Sequence, residues 1–81
     1  MSMSKAIYIR KDFIGSMYHA IEECGEFCAA AGKTMRWGPM SVNPELPPSE
    51  QETNLVWLRR ELKDVREAME RLEAAIEKEY D

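Results

Sequence analysis

The 81-residue chain carries 15 acidic against 11 basic side chains, a formal net charge of −4, and no run of Lys or Arg longer than two. This balance excludes the electrostatic attraction that nucleic acid or an anionic membrane surface requires, and no apolar run approaches the ~20 residues of a membrane span. A chain this short makes one domain and buries only a modest share of its surface when folded alone, so help from a partner chain is expected.

Residues 1–11, "MSMSKAIYIRK", lack the long uncharged segment of a secretory signal, and the chain therefore reads as cytoplasmic. They form either an extended arm or a helical lead-in. Residues 12–32 are predicted as a helix, with Asp12 as N-cap and Gly32 as terminating glycine. Its apolar residues Ile14, Met17, Ile21, Cys24 and Cys28 recur at steps of three and four and so share one stripe. Cys24 and Cys28, one turn apart, are poorly oriented to bond each other, and His19 makes a weak third ligand beside them. Both thiols are expected in core packing. Residues 33–52 hold all four prolines and read as a loop. Residues 53–79 are predicted as a second helix, on which Leu55, Leu58, Leu62, Val65, Met69, Leu72 and Ile76 keep a heptad pattern.

Each helix carries a second row beside its main stripe. On the first it is Phe13, Ser16, Ala20, Glu23, Phe27 and Ala30; on the second, Trp57, Glu61, Asp64, Ala68 and Ala75. Helices that are apolar or small on two faces belong inside bundles, and two helices cannot bury four faces between them. The expected fold is all-α: an antiparallel helical hairpin completed by self-association into a four-helix bundle, as a homodimer or higher homo-oligomer, with the Leu55–Ile76 stripe inside.

Acids interrupt these rows in pairs. Glu23 and Glu26 are three residues apart, as are Glu61 and Asp64, so each pair projects from one side of its helix. In an antiparallel hairpin the pairs can face each other, and four carboxylates so placed cannot all stay ionised without a cation. Magnesium, or manganese, is the natural counterion; with waters left on it, a phosphate chain can join the coordination sphere and an activated water can attack phosphorus. The plainer reading is a solvated acidic face, since acid pairs at this spacing are common in helices so rich in glutamate. That reading suits Glu70, Glu73, Glu77 and Glu79, which have Arg66, Arg71 and Lys78 for company, and it extends to Glu22.

The order "EECGE", "GKTMRWG", "TNLVWLRRELKD" resembles the MazG-like all-α nucleoside triphosphate pyrophosphohydrolases, especially their compact phage-type members. The family's E-E-x-x-E and E-x-x-D motifs correspond to Glu22-Glu23-Cys24-Gly25-Glu26 and Glu61-Leu62-Lys63-Asp64, and the likeness spans roughly residues 14–76. The resemblance implies hydrolysis of an NTP or dNTP to a monophosphate and pyrophosphate, with Mg2+ (or Mn2+) on Glu23, Glu26, Glu61 and Asp64. It also implies Lys33 and Arg36 at phosphate oxygens and Trp37 or Asn54 at base or sugar. Ordinary C-terminal helix charge accounts equally for Lys33 and Arg36, and packing accounts for the tryptophans. Two further functions fit the same chain: a family member that binds nucleotide without turnover, and a helical-hairpin protein-interaction module whose acids are surface charge.

Overall fold

The computed structural model describes residues 12–81, two α-helices joined by a loop that contains one short 3-10 turn. The expectation of an arm or lead-in over residues 1–11 lies outside the described residues. Helix α1 is Phe13–Trp37 and helix α2 is Asn54–Tyr80.

Both helices begin where side-chain oxygens can satisfy exposed amides. Asp12 Oδ1 accepts from Gly15 N at 2.9 Å, and Thr53 Oγ1 accepts from Val56 N at 3.2 Å. Helix α1 does not end at Gly32. It runs on to Trp37 and stops at Gly38, whose φ of 96° suits a residue without a Cβ, with Pro39 barring continuation. A glycine inside a helix costs only about 1 kcal/mol relative to alanine, and Thr34, bonding back to the Ala30 carbonyl at 2.8 Å, stays in the helical path. Lys33, Arg36 and Trp37, expected in the loop, therefore ride on the last turns of α1.

The helices run antiparallel, tied at both ends. At the open end Phe13 N donates to a Glu79 carboxylate oxygen at 2.7 Å, and the Phe13 and Tyr80 rings meet edge to face with centroids 5.4 Å apart. Glu79, read from sequence as part of a solvated acidic face, thus caps an amide at the start of α1. At the loop end the Asn54 side chain donates to the carbonyls of Lys33 (3.3 Å) and Gly38 (3.0 Å). Backbone bonds from Asn54 to Ser41 and from Leu55 to Pro39, with the Val42–Thr53 bridge, fasten the loop against α2.

The rows that meet across the hairpin are the acid-bearing ones. Ser16, Ala20, Glu23 and Ala30 of α1 and Asn54, Glu61, Ala68 and Ala75 of α2 are buried. The main apolar stripes are buried less: Leu55, Leu58, Val65 and Leu72 are half-buried, and Ile14, Met17, Ile21, Leu62, Met69 and Ile76 are exposed by 37–64%. Cys24 is half-buried, and Cys28, expected in the core, is exposed; both are free thiols. At 100° per residue, each main stripe is turned by roughly 80–110° from its own buried row, in the same sense on both helices. In an antiparallel pair that shared sense puts both stripes on one side of the hairpin. Among the described residues the only buried apolar side chains are four alanines, and the molecule is 13 Å in its thinnest direction, one helix thick. No helix among the described residues is long and apolar enough to cross a membrane.

Candidate metal centre

The i,i+3 spacing that places Glu23 and Glu26 on one side of α1 turns them toward Glu61 on α2. Carboxylate oxygens of these three residues, one from each, all lie within 4.8 Å of one another. Asp64 is half-buried beside them, near enough for its charge to act on both Glu23 and Glu61, but it is not among the three that converge within that distance. Glu23 is 8% exposed and Glu61 7%. Each has one oxygen, Oε1, that is fully buried and has no hydrogen-bond partner. Native proteins leave few buried polar atoms unpaired, because each costs desolvation without return. A divalent cation accepts such oxygens as ligands, so the donor set fits one: hard, anionic, and drawn from both helices.

The other oxygen of each buried glutamate is held by a residue one turn earlier. His19 Nε2 stands 3.3 Å from Glu23 Oε2, and Trp57 Nε1 donates to Glu61 Oε2 at 3.2 Å. Neither contact figured in the sequence reading, although the i,i+4 spacings of His19 to Glu23 and Trp57 to Glu61 were there to be seen.

Burial, followed by the neighbouring charges of Glu26, Asp64, Glu61 and Glu22, pushes Glu23 up from 4.5 to about 7. Burial and Glu26 also raise Glu61, opposed by its bond from Trp57. A carboxyl raised in the folded state keeps a proton that the unfolded chain has released. The metal-free protein therefore loses stability as pH rises from about 4.5 through about 7, and holds this contribution in full only below that window. Glu52, lowered by its hydrogen bond from Arg60, acts below 4.5 and leaves the window untouched. Chelator-treated protein is expected to be less stable at pH 8 than at pH 5, by on the order of 2–3 kcal/mol, and so to melt at a lower temperature. Glu23→Gln should flatten the profile, and a metal-free Tm that climbs over this range would contradict the assignment.

Next to the acids, the loop and the helix ends border a half-open cavity of about 660 Å³. Lys33, Trp37, Asn54, Trp57 and Arg60 contribute to its lining, together with loop residues 41–46. Three of the four residues anticipated at substrate are thus brought to one cavity, and Trp57 joins it to Glu61. Asn54, however, is buried with its amide committed to the Lys33 and Gly38 carbonyls, so it builds the wall. Arg36 is exposed and is not among the lining residues. Arg60, which the sequence reading passed over, lines the cavity in a two-bond pair with Glu52 at 2.6 and 2.9 Å. Compared with known proteins, the chain matches no family model, no curated protein and no solved structure.

Proposed function

We propose that the chain is a Mg2+-dependent nucleotide pyrophosphohydrolase, cleaving an NTP or dNTP to the monophosphate and pyrophosphate. One observation carries the reading: Glu23 and Glu61, on different helices, each bury an unpartnered Oε1, and their carboxylates converge with that of Glu26. Solvated surface acids do not behave so; ligands awaiting a cation do. The order of the two acid motifs, which resembles that of the MazG-like enzymes, supplies the reaction class.

Glu23, Glu26 and Glu61 would hold the cation, with Asp64 completing the anionic set. The bound ion supplies neutralisation of phosphate charge and acidification of water. Trp57 fixes the rotamer of Glu61, and His19 that of Glu23. Lys33, exposed on the cavity wall, meets phosphate oxygens of the substrate, and Trp37 offers a flat apolar surface to its base. The apolar side of the hairpin is covered by a second copy, giving a four-helix bundle with an acid site in the seam of each hairpin.

Metal-stripped protein assayed against the common nucleoside triphosphates and deoxynucleoside triphosphates, with Mg2+ and with Mn2+, should release pyrophosphate in the presence of metal alone. Cation binding without any turnover would identify a nucleotide-binding member that has lost catalysis. Neither binding nor turnover would identify an interaction hairpin, the reading that the exposed apolar side favours.

A further inference from the structure

We infer that Arg60 is a phosphate-binding residue of the cavity, and that Glu52 occupies its guanidinium until the phosphate chain of a nucleotide takes the carboxylate's place. The inference deepens the hydrolase reading and rests on it for the identity of the ligand. Glu52 lies just before the Thr53 cap and Arg60 in the second turn of α2, and both line the cavity beside the acids. Two bonds, Nη1 to Oε1 at 2.6 Å and Nη2 to Oε2 at 2.9 Å, hold the carboxylate in the fork of the guanidinium. A phosphate offers a pair of oxygens to the same fork, so Glu52 stands where that anion would sit.

Exposure decides which anion wins. The Arg60 side chain is 51% exposed and that of Glu52 33%, and a surface pair of this kind contributes little to stability. Opening it therefore costs little, whereas a phosphate chain brings more negative charge to Arg60. The guanidinium also has reach toward the metal centre: Arg60 directly precedes Glu61, and the charges of Glu61 and Asp64 act on it in addition to that of Glu52. Lys33 lines the same cavity from α1. A phosphate chain with one end on an ion at Glu23, Glu26 and Glu61 thus has a cation from each helix along its length. Arg36, which the resemblance places at phosphate, is not among the lining residues, and Arg60 supplies that charge in its stead.

A pair that merely clasped the loop to α2 would respond in the opposite sense to loss of Glu52, and this gives the test. Binding of inorganic pyrophosphate is titrated calorimetrically, with and without excess Mg2+, in the unmodified protein, Arg60→Gln, Glu52→Gln and the double variant. Glu45→Gln, which removes the same charge from another part of the cavity wall, is the control. Loss of Arg60 should weaken binding about ten-fold or more, as expected of a two-bond, charge-assisted contact. Glu52→Gln should tighten it several-fold, by more than Glu45→Gln does, and that advantage should vanish once Arg60 is gone. No pyrophosphate binding by the unmodified protein, undiminished binding by Arg60→Gln, or a Glu52→Gln variant that binds no more tightly than Glu45→Gln each overturns the inference. Binding coupled to Arg60 and Glu52 in this way, without pyrophosphate release from nucleoside triphosphates, upholds this site and sinks the hydrolase reading. Release whose KM and kcat ignore Arg60→Gln does the reverse.

Discussion

Glu61→Gln is expected to reduce pyrophosphate release at least a hundred-fold while leaving the helical content of the chain unchanged, and Glu23→Gln, Glu26→Gln and Asp64→Asn should do the same. The reason is geometric. A cation that must orient both a phosphate chain and an attacking water loses that geometry when one of its few anionic ligands is neutralised, and losses of a hundred-fold or more follow from misplaced electrostatic groups in enclosed sites. Stability should move the other way. Amides in place of Glu23 or Glu61 remove a buried like charge, so the metal-free variants should melt higher than the parent and respond less to Mg2+. Glu73 and Glu77, exposed on α2, serve as controls, since a surface acid contributes only a screened field. Pyrophosphate release that persists at the parent rate when Glu61 is replaced would remove the metal centre from the proposed mechanism.

Leu62→Asp should dissociate the assembly and unfold the chain in one transition. Within a single chain Leu62 is 44% exposed, and a charge there would cost little if the hairpin worked alone. In a bundle the same position is interior, where an unpaired carboxylate costs several kcal/mol. Because the described hairpin buries only alanines among its apolar residues, it has little of the hydrophobic driving force that a domain of its size needs, and loss of the second layer removes most of what remains. Lys63→Asp is the matched control: Lys63 is a mostly exposed residue in a loose 3.7 Å pair with Glu67, worth a fraction of a kcal/mol. Light scattering should report a dimer or larger for the parent at tens of micromolar, a range in which a core-like interface holds. A mass of 9.4 kDa, that of one chain, together with an unperturbed Leu62→Asp variant, would refute the bundle.

Helix α2 was legible almost to the residue, because Thr53 is a good cap and the heptad pattern leaves no break before the end. The end of α1 was misplaced by five residues. Gly32 carries the right residue type for a stop, but nothing there demands a positive φ, whereas Gly38 is followed by proline and must turn. The two rows of small residues and acids were visible as rows. Which of the two faces of each helix would close the hairpin was not, since periodicity gives directions relative to one helix and the choice of seam depends on both. Burial inverted the naive order: the alanine-bearing rows are the ones buried within the chain, while the leucine stripe is half-buried at Leu55, Leu58, Val65 and Leu72 and exposed at Leu62, Met69 and Ile76. The convergence of Glu23, Glu26 and Glu61 followed from i,i+3 spacing once the helices were antiparallel. The roles of Glu79, Asn54 and Arg60 depend on where the helix ends and the loop fall, and no local pattern announces them.

The alanines of the seam act as a gauge. Helix axes pack about 8–10 Å apart, at the short end when the facing residues are small. Ala20 lies one turn before Glu23 and Ala30 two turns after it, while Ala68 follows Glu61 by two turns, so the contact is narrow on both sides of the acids. Leucines at these places would bury more surface, yet they would wedge the helices apart by an ångström or two. The oxygens of Glu23 and Glu61, within 4.8 Å now, would then stand too far apart to meet on one ion with bonds near 2.1 Å. If Glu23 and Glu61 share an ion, the alanines of the seam fix the calibre at which the two carboxylates reach it, and larger apolar side chains such as Leu62, Met69 and Ile76 stand on the exposed side instead.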